Sequence, residues 1–280
     1  MRQATAPLWL RALALCIGGV LATVFVFILI SALEALWKGR GLALWGAVWS
    51  PQTARFGILP MIHASVLLSF SALLCGWPVA LGCCCVLRGL GPKGLRVLLG
   101  FTLRFMASIP TVVYGFAAVF LLVPLIREGL GGSGFCWLSA GLLLALQGVP
   151  TMTLLMDEAL RSVSAETSLT AAALGLTPEQ NLSSIVLPAS RPWMASAAVL
   201  GFGRALGDTL LPSMLAGNAI QFASSPLDSM RTLTAHIGLV LSSDIGGGEH
   251  LSLLLAGGLL LLGSVTVTLF VHHLSGRGRR

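Results

Sequence analysis

The chain has 280 residues, 56% of them apolar and 10% charged, with 17 Lys and Arg against 10 Asp and Glu and a formal net charge of +7. A soluble domain carries about 25% charged residues, so this composition excludes a soluble globular enzyme, and with it a disordered chain, a coiled coil or a disulfide scaffold. The apolar runs are continuous rather than alternating, which points to an all-α polytopic membrane protein with six transmembrane helices and away from a membrane barrel.

The first span is expected at about Leu8–Trp37, where the apolar run is too long for the core of a signal peptide. A loop with Lys38, Arg40, Pro51 and Arg55 follows, then a second span at about Leu59–Leu87. Between Lys93 and Met106, Arg96, Gly100 and Arg104 fall on one stripe, the pattern of a helix lying at the membrane surface. Third and fourth spans are expected at about Ile109–Ile126 and Phe135–Met156, separated by a glycine-rich turn at 129–134. Asp157–Pro192 is the longest polar stretch between spans. It is expected to hold a separate polar helix over roughly Met156–Leu174, ended by Gly175, and then a helix start in which Thr177 is the N-cap, Pro178 the first helical residue and Gln180 the partner of a capping box. A fifth span at about Trp193–Leu215, a mixed segment Asn218–Glu249 with apolar Met230, Leu233, Ile237 and Val240 at helical spacing, and a sixth span at about Leu251–His272 complete the chain.

Orientation follows from the basic residues. With both termini in the cytoplasm, Arg2, Arg11, Arg88, Lys93, Arg96, Arg104, Arg161, Arg191, Arg277, Arg279 and Arg280 lie inside, and Lys38, Arg40, Arg55, Arg127 and Arg231 lie outside. Nothing resembles a basic nucleic-acid face, so the excess charge reads as topology. Cys16, Cys75, Cys83, Cys84, Cys85 and Cys136 all fall in or beside apolar runs and read as small hydrophobes. Neighbours such as Cys83–Cys85 point in different directions on a helix, and no metal site is expected. The histidines lack ligand spacing, and no nucleophile–base arrangement is present, so no catalytic site is expected either.

The stretch Ala171-Ala172-Ala173-Leu174-Gly175, followed after nine residues by Ile185-Val186-Leu187-Pro188, resembles the EAA loop of ABC importer permeases. The glutamate of that motif falls on Leu169, a departure, with Glu166 one turn earlier. Ile109-Pro110-Thr111-Val112-Val113-Tyr114-Gly115 resembles the I-P-S-V-V-Y-G stretch of phosphate importer permeases, and Gly203-Arg204-Ala205-Leu206-Gly207-Asp208-Thr209 their G-R-A-L-G-E-T, with Asp for Glu. Ala216-Gly217-Asn218, Leu227-Asp228 and Arg231-Thr232-Leu233-Thr234 are similar to the first of the two permease subunits. The resemblance covers roughly Phe56 to the last span. It implies a type I ABC importer permease fold over residues 56–274, preceded by an N-terminal helix and external loop (1–55) and followed by a basic cytoplasmic tail (275–280).

The resemblance also implies partners: a second permease subunit, two ATPase subunits, and a periplasmic or lipid-anchored phosphate-binding protein, all at a bacterial inner membrane. The chain's two lysines stand in Lys38-Gly39 and Lys93-Gly94, so it has no P-loop. No cofactor is expected on this chain, and ATP would be used by the partners. Ala171, Ala172, Gly175, Thr177, Pro178, Ile185, Leu187 and Pro188 would form the ATPase coupling loop.

Arg204 falls near the middle of its expected span, where a charge costs at least about 2.5–3.5 kcal/mol. Asp208 is four residues on, hence expected on the same helix face. One interpretation makes Arg204, Asp208 and Thr209 part of an oxyanion pathway, since a guanidinium matches phosphate geometry and stays charged. The other makes Arg204 and Asp208 a buried ion pair that fixes packing. Gly203 and Gly207 form a GxxxG that suits close helix approach, either at a gate between two permeases or inside one subunit. Pro110 is a packing or gate candidate through the stretch around it. Other oxyanions such as molybdate, tungstate or sulfate are an alternative substrate class. An ion-coupled secondary transporter is a more distant one, since no internal repeat is visible.

Overall fold

A computed structural model describes residues 8–37, 45–53, 55–241 and 248–277. Arg2, Lys38, Arg40, Arg279 and Arg280, used above for orientation, lie outside the described residues. The elements in order are α1 (Leu8–Trp37), a small antiparallel hairpin of β1 (Trp49–Ser50) and β2 (Arg55–Phe56), α2 (Leu59–Cys85), α3 (Lys93–Ser108), α4 (Thr111–Leu130) and α5 (Trp137–Ala173). They continue with α6 (Pro178–Asn181), α7 (Leu187–Ala189), α8 (Arg191–Gly207), α9 (Leu210–Leu215), α10 (Leu233–Leu241) and α11 (Gly248–Arg277). Among the described residues five helices are long and apolar enough to cross a membrane, and the pair Pro178–Ala189 with Arg191–Gly207, bent by 66°, makes a sixth candidate.

In lipid, helices gain little from apolar burial against one another, and close packing through small residues holds them instead. The α2–α5 contact is built that way. Ala64, Leu68, Ala72, Gly76, Ala80 and Cys84 recur every four residues on α2, and all are buried. They face a stripe of α5 with buried Ala140, Gly141, Leu144, Ala145 and Gly148. A side chain at Gly76 would meet the Ala145 carbonyl at 3.1 Å, so that glycine sets the approach of the two backbones. By contrast α1 is exposed along most of its length, as a lipid-facing helix should be, and touches the rest through Ile28 and Ala32 against Gly257 and Gly258 of α11.

Two expectations about helix boundaries are corrected. The fourth span and the polar helix after it are one helix of 37 residues, α5, which passes through Pro150 without a break. Its second half is polar outside but continues the same hydrogen-bond ladder, so nothing in the chain stops it before Gly175. The fifth span, expected as one helix to Leu215, is broken: α8 stops at Gly207, Asp208 is extended (φ −72°, ψ 127°), and α9 restarts at Leu210. Pro212 is the cause. It lacks the N–H that would reach the carbonyl four residues back, and its ring collides with that carbonyl. The carbonyl in question belongs to Asp208, and it accepts the Thr234 hydroxyl instead, at 2.8 Å. Met230, expected in the outer amphipathic helix, lies before α10 and pairs with Gly217 in an isolated bridge. The helix expected over Lys93–Met106 is found as α3, and a bend at Ile109-Pro110 separates it from α4. Ile109 is extended there, as a residue preceding proline prefers.

Candidate functional site

Arg204 sits in the last turn of α8, where a cation complements the unpaired carbonyls of a helix end. Asp208 does not share its helix face, contrary to the i, i+4 expectation, because it has left the helix. Nor do the two form an ion pair with each other, whereas Arg88 and Asp157 do. Asp208 is instead tied into the break. Its Oδ1 accepts the Leu211 N–H at 3.1 Å, which holds the start of α9. Thr209, exposed, occupies the N-cap position of α9.

The residue that joins the two charges is Gln147, from the first third of α5. With its amide turned so that each end meets a complementary group, Gln147 donates to Asp208 Oδ2 at 3.2 Å and accepts from Arg204 Nη2 at 3.3 Å. The sequence carried a signal for it. Between Gly141 and Val149 every other residue is apolar or glycine, and a primary amide at membrane depth is costly unless both ends are satisfied.

Arg204 also borders an apolar cleft of about 680 Å³ between α1, α5, α8 and α11, whose walls include Phe25, Leu155, Gly207 and Val267. Gly203 and Gly207 behave differently along it. A Cβ on Gly203 would meet Val267 Cγ1 of α11 at 2.8 Å, so Gly203 packs inside this subunit, whereas Gly207 has open space beside it. Pro110 is exposed at the α3–α4 bend. The neighbouring Gly115 does reach the site's frame, since a Cβ there would meet Met214 Sδ of α9 at 2.6 Å. The stretch around Pro110 therefore braces the helix that follows the break.

The coupling-loop candidates form a second unit. At the end of α5 the Gly175 N–H donates to Ala172 and the Leu176 N–H to Ala171, both at 3.0 Å, with Gly175 at φ +72°. This is a Schellman cap, and the left-handed residue in it favours glycine. Thr177 and Gln180 then make the expected capping box: Gln180 N–H to Thr177 Oγ1 at 3.3 Å, Thr177 N–H to Gln180 Oε1 at 2.9 Å. Pro178 opens α6, as read from the sequence. Ala172, Gly175, Thr177, Pro178 and Pro188 are exposed, Ile185 and Leu187 are half-buried, and Ala171 is buried. Leu169 and Leu174 stand 83% and 72% exposed on this polar projection. Beneath it, Arg88, Ser164, Ser168 and Asn181 line a cleft of about 230 Å³. Glu166 instead lines a different cleft, with Glu158 and Trp193.

On the other side of the molecule the segment after α9 is held by polar caps. Asp228 Oδ2 accepts the N–H groups of Ser224 (2.9 Å) and Ser225 (2.8 Å) and the Ser224 hydroxyl (3.1 Å). The hydrogen bonds from Ser225 and then Ser224 hold its carboxyl below the usual carboxylate range. Arg231 Nε donates to the Asn218 carbonyl at 3.0 Å. His236 of α10 is fully buried, 5.3 Å from the Trp49 ring and 3.3 Å from Ser252 Oγ. Burial, and next the charge of Arg231, pull its pKa down to about 4.

Three kinds of relative fit this architecture. Residues 72–280 match the family described as binding-protein-dependent transport system inner membrane component. Phosphate transport system permease protein PstC of Xylella fastidiosa strain Temecula1 is 29% identical over 278 residues, 90% of this chain and 84% of that protein. PstC of strain 9a5c is 30% identical over 80% of this chain and 77% of that protein. The probable ABC transporter permease protein YqgH of Bacillus subtilis is 30% identical over 82% and 75%. Among solved structures, a chain of a bacterial ABC transporter involved in alginate import superposes with a TM-score of 0.64 at 18% identity, covering 97% of this chain and 96% of that one. A chain of the MetNI methionine ABC transporter does so with a TM-score of 0.60 at 16% identity, covering 81% and 99%. At such identities these structures speak for the fold alone. The family match, the spans and the shared architecture make this chain a multi-pass inner-membrane protein that belongs to the binding-protein-dependent transport system inner membrane components, the permeases of ABC importers.

Proposed function

We propose that this chain is a transmembrane permease subunit of an ATP-driven importer that passes inorganic phosphate into the cytoplasm. The similarity to PstC permeases across most of both chains carries this proposal. It works with a second permease, two ATPase subunits that bind the ATP, and a phosphate-binding protein outside the cell. Both termini face the cytoplasm. Residues 56–274 form the permease domain, with 1–55 as an added helix and external loop and 275–280 as a basic tail.

Arg204 offers the transported anion its free guanidinium N–H groups, which match a tetrahedral oxyanion and stay charged at any relevant pH. Asp208 keeps that hold weak, so that the anion is released inward; a site that conducts must not trap. Thr209 borders the same path. The exposed loop from Ala171 to Pro188, with Leu169 and Leu174 as apolar contacts, is the surface on which an ATPase subunit sits. Its movement reaches the site through α5 and through the bent pair leading into α8. Gly203 packs against α11, Gly207 leaves room beside the path, and Pro110 sets the bend that braces α9.

The test is phosphate uptake by cells relying on this importer, at equal amounts of assembled complex. Arg204→Ala is expected to cut uptake by about 10- to 100-fold, as loss of a charge-assisted hydrogen bond costs about 1.5–3 kcal/mol. Normal uptake by that variant would remove Arg204 from the pathway. Excess molybdate, tungstate or sulfate should leave uptake unchanged; strong competition would transfer the assignment to another oxyanion, for which the Asp at position 208 in place of Glu leaves room.

A further inference from the structure

Gln147 is 7% exposed and sits between Arg204 and Asp208, the two charges at the break in the fifth span. Its two contacts have opposite polarity, oxygen to the guanidinium and nitrogen to the carboxylate. A primary amide can do this because its two ends have opposite polarity, whereas a carboxylate would accept at both ends and an ammonium would only donate. Without it, a cation and an anion this close in a low-dielectric setting attract each other strongly. Asp208 cannot retreat, because its other oxygen holds the Leu211 N–H and its carbonyl holds the Thr234 hydroxyl. Arg204 can move, being exposed on its helix and long.

From this geometry we infer that Gln147 is a positioning residue, a neutral spacer that prevents Asp208 from neutralising Arg204 and so keeps the guanidinium available to a passing oxyanion. The inference rests on the pathway role of Arg204 proposed above. It assigns Gln147 no direct contact with the anion. The spacer acts through charge: removing it lets Arg204 fold onto Asp208, and removing the Asp208 charge as well sets Arg204 free again. A residue that merely fills space between α5 and α8 would show no such reciprocity.

The experiment uses the whole importer and follows radiolabelled phosphate uptake, with assembled complex equalised between variants. Gln147→Leu is expected to lower the maximal rate about tenfold while the half-saturating phosphate concentration, set outside by the binding protein, stays unchanged. Asp208→Asn keeps an oxygen for the Leu211 N–H. In the native background it is expected to slow uptake, because the anion is held longer. In the Gln147→Leu background it is expected to raise uptake about fivefold over Gln147→Leu alone, a reversal of sign that a double-mutant cycle reads directly. Equal factors for Asp208→Asn in both backgrounds, or normal uptake by Gln147→Leu, overturn the inference. Arg204→Ala run alongside separates the two proposals. If it is inactive while Gln147→Leu is normal, only the spacer role falls; if it is fully active, the pathway role falls first.

Discussion

Two of the interruptions in the helices, at Gly175–Thr177 and at Gly207–Thr209, are held in different ways. At the first, every bond that shapes the turn comes from within ten residues: the Schellman pair from Ala171 and Ala172, and the reciprocal Thr177–Gln180 box. At the second, the local Pro212 and the Leu211 N–H on Asp208 are joined by distant partners, Thr234 from α10 and Gln147 from α5. A locally capped turn keeps its form while it is pushed about, which suits the proposed contact surface for an ATPase subunit. A break propped by other helices changes when those helices shift, which suits the proposed role beside the anion path.

Arg204→Ala puts the greatest strain on this contrast: a 10- to 100-fold loss of uptake is expected, with the ATPase subunits still bound, as pull-down of the assembled complex would show. Gly175→Val comes next. Nothing crowds a side chain there, so the cost is the left-handed backbone alone, roughly 1–2 kcal/mol. Phosphate-stimulated ATP hydrolysis by the complex should fall several-fold, and association of the ATPase subunits should weaken, leaving the Arg204 region intact. Thr177→Ala removes one half of the capping box and should act in the same direction but more weakly, by about 1 kcal/mol. Thr234→Val takes away the hydroxyl on the Asp208 carbonyl, worth about 0.5–1.5 kcal/mol. It should slow uptake without touching ATPase binding; weakened ATPase binding instead would erase the distinction between the two breaks.

The remaining effect concerns pH and is absent near neutrality. His236 is neutral when folded, with a pKa of about 4 against an ordinary value near 6.5. The stability this lends is complete above the unfolded value and is lost as pH falls from about 6.5 toward about 4, because the unfolded chain takes up the proton first. Thermal unfolding of the purified protein should therefore show a steeper acid-side decline than that of His236→Asn.

What the sequence revealed follows the same division. The capping box at Thr177, the helix start at Pro178 and the stop at Gly175 are local, and each was readable from residues a few positions apart. The broken fifth span was not read, although Pro212 was visible, because a proline in an apolar run is consistent with either a tolerated kink or a stop. Which of the two occurs depends on whether another helix supplies a donor for the freed carbonyl, and Thr234 lies 26 residues away. Arg204 stood out as a charge in an apolar run. Its partner Gln147 carries no charge, lies on another helix, and becomes meaningful only once α5 and α8 are brought side by side.

One consequence follows from α5 being unbroken. At 37 residues it is about 55 Å long. Its first turn is fastened to the segment after α9, through Trp137 N–H to the Asp228 carbonyl (2.9 Å) and Leu138 N–H to the Pro226 carbonyl (2.8 Å), and its last turn forms the Schellman cap. Gln147 lies between these ends. The helix is thus a seesaw beam: a tilt of about 5° about its centre swings each end by about 2 Å in opposite directions. For a rigid helix, a push at the Gly175 end and a tug at the Trp137 end are mechanically the same event, and Gln147, about 12 Å from the pivot, shifts by about 1 Å with the Trp137 end.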